Sequence, residues 1–371
     1  MFYFCWLVTF AVSARLFLTL YHIPHLALGA EMAQDYLDRT RVYSFSQFFG
    51  TVGSAGFGFL MLTLFFPTTE EFSHGLLNSH GYGPFSIAAA IGIVVSISLC
   101  VAGTAREIPH LPAANFKKVE RLNPRRLLRE ITTAFKNHSY RMLVGGLFCA
   151  VILLGIEGTF MVYMYVHFWG MATEHMRWIG PIVLCALPFS VLLAPVLTKH
   201  LDKRRTLIGL SVVIIVCNNM MICLRLFTDW LPENGSAELL AMLLAFIFTS
   251  GLAGPAIMIT LNSMFADISD EQELLTHERQ EGIIFSARSF AFKAGGAFAT
   301  ILGGIGLDLI DFPRGAAPGE VSPDVLFNLG VIAGPATSIV GLAVLAFYFG
   351  YRLDRARIAE IQLELAARRT R

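Results

Sequence analysis

The segment SMFADISDEQELLTHERQEGIIFSARSFAFKAGGAFAT, which covers residues 263–300, decides the fold of this chain. Its first half, residues 267–282, is a dense run of charged residues that predicts a loop. Its second half begins an apolar run over roughly 283–309, which is long enough to cross a bilayer as a helix. Arg288 and Lys293 lie inside that run, and a cation in a membrane span costs about 3 kcal/mol or more. Such a cation is tolerated where it faces a cavity, water or a partner, so the segment predicts a functional site.

The composition of the whole chain is that of a polytopic membrane protein. Of the 371 residues, 55% are hydrophobic and only 15% are charged, whereas soluble proteins average about 25% charged residues. The apolar residues come in runs of about 20, the length that a helix needs to span a lipid bilayer, and they predict an all-α, polytopic bundle in the membrane. We expect nine transmembrane helices, at roughly 2–29, 45–67, 84–104, 141–169, 178–198, 206–228, 238–263, 283–309 and 325–351.

Several function classes are excluded by composition and motifs. The net charge of +1 gives no electrostatic basis for binding nucleic acid. The six cysteines lie in or beside apolar runs without metal-binding spacing, so we expect no bound metal and no cofactor. The chain contains no GxSxG, HExxH or P-loop motif, which predicts that it is not an enzyme.

Lysine and arginine counts orient the helices, because basic loops face the cytoplasm. The loop at 105–140 carries eight basic residues and the tail after residue 351 carries six arginines. The loops at 68–83 and 229–237 carry none. We therefore expect the long loop and the C-terminus in the cytoplasm, and Met1 outside.

The basic loop also divides the chain into domains of unequal helix number. We expect an incomplete N-terminal bundle at 1–104, a cytoplasmic linker at 105–140, a six-helix bundle at 141–351 and a cytoplasmic tail at 352–371. The tail is expected to be an interfacial or solvated amphipathic helix. Since transporters are commonly built from repeated halves, three spans before six predict that three helices are missing from the first half.

Glu157 and two histidines are further candidates at membrane depth. Glu157 lies near the middle of its span, where an unpaired carboxylate would be neutral or would seek a cation. His22 and His25 flank Pro24, which kinks a helix and frees backbone carbonyls. Each of them could instead be a buried, hydrogen-bonded residue without a functional role.

Arg288 and Lys293 are five residues apart, so they point to different sides of one helix. The small residues Ala294–Ala297 follow directly and allow a neighbouring helix to approach closely. At most one of the two cations is therefore expected to face a central cavity squarely, and Lys293 is the better candidate.

The charged half of the opening segment is also a family signature. SMFADISDEQELLTHERQEG resembles the loop of the glycoside–pentoside–hexuronide:cation symporters, a branch of the major facilitator superfamily, with the pattern S-M-x-A-D-x-x-D-x-x-E-x-x-T-x-x-R-x-E-G. The pattern is filled here by Asp267, Asp270, Glu273, Thr276, Arg279, Glu281 and Gly282. HIPHLALGAEMAQDYLDRTR, residues 22–41, is similar to the family's fourth helix and the loop after it, and the similarity runs over almost the whole chain.

The resemblance implies a secondary transporter that couples sodium ions or protons to the symport of a small, sugar- or glycoside-like solute by alternating access. It implies a monomer in a bacterial inner membrane. The nine spans would match family helices four to twelve, so we expect the usual cation site, on the second helix, to lie outside this chain. A lysolipid or other amphipathic solute, or a truncated fragment without transport, remain the alternatives.

The resemblance also places individual residues. Lys293 falls on the family's membrane lysine, whereas His22 replaces a sugar-binding aspartate and Gln47 replaces an arginine. The predicted substrate or coupling residues are Lys293, His22, Glu157, His25, Gln47 and Arg288. The predicted cytoplasmic gate consists of Asp35, Asp38, Arg39, Asp267, Asp270, Glu273, Arg279 and Glu281.

Overall fold

The protein is described by a computed structural model that covers residues 1–32, 36–69, 72, 74–110, 132, 135–276 and 281–369. Within these ranges the regular structure is entirely helical. Eight helices are long and apolar enough to cross a membrane, and Phe48–Leu64 is a shorter apolar helix. The predicted all-α, polytopic membrane fold with about nine spans is thereby confirmed.

The helices follow the apolar runs closely. They are α1 Phe2–Met32, α2 Tyr36–Leu64, α3 Tyr82–Thr104, α4 His138–Tyr163, the short α5 Thr173–Met176, α6 Ile179–Leu201, α7 Lys203–Phe227, α8 Ala237–Thr276, α9 Glu281–Leu309, α10 Pro323–Val331, α11 Thr337–Phe349 and α12 Arg355–Arg369. A π-helical turn, Met164–Phe168, extends α4, and a second one, Ile332–Ala336, joins α10 to α11.

The chain forms two compact units. The first consists of Met1–Ser54 with Tyr82–Arg121, and the second of Ala55–Gly81 with Leu122–Arg371. In the first unit, α3 has no buried residue, and α1 is exposed over most of its length. Large apolar side chains such as Phe10 and Ile91 lie on these exposed surfaces. Hydrocarbon, unlike water, accommodates such surfaces without a hydrophobic penalty.

The second unit contains the six long helices after residue 137. Helix α4 packs against α9 and α11, while α8 packs against α6 and α7. One buried apolar cluster lies where α4 begins and includes Tyr140, Phe265 and Tyr348. Another lies where α4 ends and includes Phe160, Trp169 and Leu239. The two clusters fix the positions of the polar side chains that lie between them.

Small residues bring α4 and α9 into very close contact. A Cβ atom added to Gly155 would lie 2.4 Å from the Cβ of Ala299, and one added to Gly295 would lie 3.1 Å from the carbonyl oxygen of Phe148. Membrane helices associate through such small residues because the backbones can then approach each other. The expected close approach at Ala294–Ala297 is therefore present in the structure.

The predicted loop at 267–282 is largely helical, and this expectation was wrong. Helix α8 continues without a break to Thr276, although apolar residues give way to charged ones after Phe265. The charged turns stay helical because one side of them is buried: Ile268, Gln272 and Leu274 are all less than 10% exposed. Burial of this side against other parts of the protein stabilises the helix where its sequence is no longer apolar enough to lie in the hydrocarbon of the membrane.

The tail helix α12 is amphipathic, as expected, but its apolar side is covered by protein. Ile361 and Leu365 are 1% and 5% exposed, and they belong to the same buried cluster as Ile268 and Leu274 of α8. The expectation of a solvated or interfacial helix was therefore wrong on this side. The charged extension of α8 supplies the surface that the tail needs.

We predict that Gly155→Ala destabilises the protein by about 1–3 kcal/mol, because the new methyl group overlaps Ala299 and forces the two helices apart. The matched control is Gly158→Ala, where no atom lies within 4 Å of the added Cβ. Thermal unfolding of the purified protein in detergent should show a lower Tm for Gly155→Ala only. Equal Tm values for the two variants would contradict the close contact.

Candidate functional site

Glu157 is one end of a half-buried chain of polar side chains in the second unit. The side-chain amide of Asn218 on α7 donates a hydrogen bond to Oε2 of Glu157, with an N–O distance of 2.9 Å. The hydroxyl of Ser250 on α8 donates in turn to Oδ1 of Asn218 at 3.1 Å. Three helices are thus joined by one chain of hydrogen bonds, which we call the Glu157 relay. Among the described residues, no lysine or arginine nitrogen lies within 4.0 Å of this carboxylate.

The Glu157 relay lines a cavity of about 430 Å³. Most of the lining is apolar or aromatic, and it includes Tyr165, Trp169 and Phe246. Both π-helical turns contribute to the wall, the first through Tyr165 and the second through Ala333. Such turns are frequent at functional sites, where they re-aim side chains. The cavity has the size and the mixed lining of a small-molecule site.

Lys293 lies at a second place, on the surface of α9. It lines an open pocket with Ser286 and Ser289, and with the rings of Phe285 and Phe290. The residues recur at intervals of three or four, so they form one stripe along the helix. We call it the Lys293 stripe. An ammonium group and hydroxyls between two aromatic rings can bind an anionic or hydroxyl-bearing solute.

Arg288 lies on a different side of α9 from Lys293, as their spacing predicts. Its guanidinium carbon is 6.0 Å from the centre of the Phe265 ring on α8, and its side chain is half-buried. Arg288 thus contacts the interior of the unit. Lys293, by contrast, is exposed.

His25 is the described member of the histidine pair, and it lies in the first unit. Its Nδ1 is 3.5 Å from Sγ of Cys100 on α3, and its ring stacks on Tyr21 with 5.4 Å between centroids. These contacts suit a hydrogen-bonded structural histidine as well as a functional one. The side chains of His22 and Gln47 lie outside the described residues.

Of the predicted gate residues, Asp267 has a well-defined partner. Nζ of Lys203, at the start of α7, lies 2.6 Å from Oδ2 of Asp267, whose side chain is only 7% exposed. Asp270 and Glu273 follow on the helical extension of α8. Asp35 and Arg279 lie outside the described residues, as do the side chains of Asp38, Arg39 and Glu281.

A second set of polar contacts closes the opposite end of the same unit. The backbone amide and the hydroxyl of Thr68 donate to the two carboxylate oxygens of Glu174 at 2.8 and 2.6 Å. The amide of Gly75 donates to the hydroxyl of Thr173 at 2.9 Å. These four residues form what we call the Glu174 clasp, which holds the loop after α2 on the short helix α5.

His74 is buried beneath the Glu174 clasp. Its Nδ1 lies 3.3 Å from the hydroxyl of Thr173. That hydroxyl also accepts from the amide of Gly75, and it can donate to Nδ1 of a neutral imidazole. Burial lowers the pKa of the His74 ring and so favours this neutral form.

The structure adds functional candidates that the sequence did not single out. Asn218 and Ser250 complete the Glu157 relay, and the adjacent pair Asn218–Asn219 within an apolar span was the available signal. Lys203 and Glu174 lie in the first turns of their helices, where a charged residue does not by itself indicate a functional site. Within the described ranges, no three His, Cys, Asp or Glu side chains come together in a way that could hold a metal ion.

Long apolar helices around a mainly apolar cavity with a few polar groups are consistent with a polytopic membrane transporter. The family of MFS/sugar transport proteins matches residues 2–355, and the chain belongs to that family. Two curated relatives have names that describe them as symporters. An uncharacterised symporter of Synechocystis sp. (sll1374) is 25% identical over 248 residues, which cover 65% of this chain and 43% of the relative. The uncharacterised symporter YjmB of Bacillus subtilis is 26% identical over 350 residues, covering 93% of this chain and 69% of the relative.

These comparisons confirm the expected superfamily and support a transporter. The match to the Synechocystis protein spans less than half of that protein's length. The functional roles of the individual residues at the Glu157 relay and the Lys293 stripe remain predictions.

We predict that Lys203→Met lowers stability by about 3 kcal/mol, because it leaves the buried Asp267 carboxylate without its cation. The double variant Lys203→Met with Asp267→Asn should recover most of the loss, since both charges are then removed. Thermal unfolding of the wild type, both single variants and the double variant completes the cycle. Strictly additive effects would show that the two side chains do not interact.

We predict that Glu174→Ala speeds hydrogen exchange at the Thr68 amide roughly tenfold, because this amide loses a charged acceptor worth about 1.5 kcal/mol. Glu320→Ala is the matched control, since Glu320 accepts the amide of Ala317 in a different loop. Mass-spectrometric exchange of the whole protein measures both loops together. An unchanged rate at Thr68 would mean that the Glu174 clasp does not hold this loop.

Proposed function

We propose that this protein carries out cation-coupled symport of a small organic solute, sugar- or glycoside-like, by alternating access. Membership of the MFS/sugar transport family supports this proposal, as do the two relatives named as symporters. The observation that carries it to particular residues is the Lys293 stripe. Its ammonium group and two hydroxyls would hold the oxygens of a sugar or sugar acid, and Phe285 and Phe290 would pack on the apolar ring face.

The coupling ion in this proposal is a proton or a sodium ion. Glu157 is a membrane carboxylate within the described residues that could take part in coupling, because it faces a cavity and has an amide rather than a cation as its partner. His22, His25, Gln47 and Arg288 remain secondary candidates.

We further propose a bacterial inner membrane, with α12 and the Lys203–Asp267 pair on the cytoplasmic side. The basic loops support this orientation. The Lys203–Asp267 pair would then belong to a cytoplasmic gate, in which ion pairs break and form again as the helices rock. The Glu174 clasp would lie on the outer side. We propose that the transporter acts as a monomer.

A specific observation favours a second class of solute. The cavity at the Glu157 relay is mainly lined by apolar and aromatic side chains, including Phe160 and Met221. Such a lining suits the chain of a lysolipid or another amphipathic solute better than it suits a sugar. The substrate panel below therefore includes both classes.

We predict that Lys293→Ala lowers uptake at least tenfold at normal surface expression, because a charged hydrogen bond to the solute is worth about 1.4 kcal/mol or more. Cells that produce the full-length protein would be tested with radiolabelled glycosides, hexuronates and lysophospholipids. Lys199→Ala, at the end of α6, is the control that removes a lysine away from both sites.

Uptake by Lys293→Ala equal to that of the wild type would remove this residue from the site. Transport of lysophospholipid alone would favour the second class of solute. Failure of the wild type to move any member of the panel, at normal surface expression, would contradict the proposed function of this chain.

A further inference from the structure

The Glu157 relay has a fixed direction in the structure. Ser250 donates to the oxygen of the Asn218 amide, so the NH₂ group of Asn218 faces Glu157 and donates to its Oε2. This arrangement satisfies a charged carboxylate, which accepts hydrogen bonds but cannot donate them. The second carboxylate oxygen remains available on the side of the cavity.

The same three side chains can satisfy a protonated Glu157 as well. A turn of the Asn218 amide by about 180° brings its oxygen to Glu157 and its NH₂ group to Ser250. The carboxylic acid then donates to the amide oxygen, and the Ser250 hydroxyl accepts from the amide. Both states keep the two hydrogen bonds that join Glu157, Asn218 and Ser250, so the relay can reverse without losing either bond.

A comparison of the titratable groups that line the cavity indicates that Glu157 takes up this proton. The other titratable groups among the described cavity-lining residues are Tyr165 on the π-helical turn after α4 and Cys217 on α7. Free tyrosine and cysteine titrate at about pH 10 and 8.5, well above the acidic range. The lining residues of α6, α8 and the second π-helical turn carry no charged group. A change of protonation in neutral or mildly acidic solution is therefore expected at Glu157.

The far end of the relay lies at a weak point of α8. Ser250 precedes Gly251, and Pro255 has no N–H with which to bond the Gly251 carbonyl. Gly251 also packs tightly on α6, where an added Cβ would lie 3.3 Å from the Cβ of Ala186. Proline and glycine are common causes of helix bending. A reversal of the bond to Ser250 thus acts on the turn of α8 that bends most easily.

From these contacts we propose that Glu157 is a proton-binding site, and that the turn of the Asn218 amide transmits its protonation state to the bend of α8 at Ser250–Pro255. The proton comes from water in the cavity and binds a carboxylate oxygen of Glu157. On release it returns to water. No other bond is made or broken. The proposal rests on the proposed symport and identifies its coupling ion as a proton.

The proton site can be tested without knowing the solute. Infrared difference spectra of the purified full chain between neutral and acidic pH should show a carboxylic acid carbonyl band that is lost in Glu157→Gln. Glu157→Asp should restore the band, and the control Glu174→Gln should leave it in place. If Glu157→Gln and the wild type give the same spectrum, Glu157 does not titrate and the proposal is overturned.

The transmission to α8 needs a second measurement. Hydrogen exchange of residues 250–255, corrected for the intrinsic effect of pH, should change several-fold between the same two pH values in the wild type. The change should disappear in Glu157→Gln and in Asn218→Leu. If it persists in both variants, the bend does not respond to Glu157.

Transport measurements distinguish a failure of the proton site from a failure of the proposed symport function. With a solute identified from the panel, Glu157→Gln should lose at least tenfold in accumulation driven by a proton gradient, and its remaining accumulation should no longer depend on that gradient. Full accumulation by Glu157→Gln would exclude proton coupling through this residue. Absence of any transport by the wild type would contradict the symport function, while the infrared result would still decide the proton site.

Discussion

The contact between α4 and α9 determines where the membrane charges of the six-helix unit point. Gly155 and Gly295 face the partner helix, and the backbones come so close that a side chain larger than hydrogen would collide. Glu157 follows Gly155 by two positions, which is about 200° around the helix, and Lys293 precedes Gly295 by the same interval. The two charges therefore point away from the shared contact and line different pockets. One helix pair thus supplies two separate sites, an acidic one in a cavity between helices and a basic one on the surface of α9.

Two acidic side chains of the unit are stabilised by partners of different kinds. Asp267 is neutralised by Lys203, and Glu157 is bound by an amide. Asp267 is held by a cation, so it is expected to stay charged while the pair is formed. Glu157 has a neutral partner, and the proposed relay accommodates both its charged and its protonated form.

Much of the fold could be predicted from the chain, because hydrocarbon thickness sets the length of apolar runs. The run after Gly282 and the isolated acid at Glu157 were both recognisable for this reason. The helical state of residues 267–276 was not predictable, since it depends on burial of Ile268 and Leu274 in a cluster with Ile361 and Leu365, roughly 90 positions later. The contact of Thr68 with Glu174 spans 106 positions and leaves no local pattern. Asn218 was not predicted as a site residue, because an amide carries no charge that requires a partner or a cavity within the membrane.

The seat of α12 on the end of α8 has a consequence for the order of assembly. Ile361 and Leu365 are synthesised roughly 90 residues after Ile268 and Leu274, with which they share a buried cluster. Chains fold from the N-terminus as they are synthesised, and contacts that are distant in sequence form late. The charged end of α8 therefore remains uncovered until α12 has left the ribosome. The membrane helices can therefore insert before α12 packs on the end of α8, as two separate steps of folding.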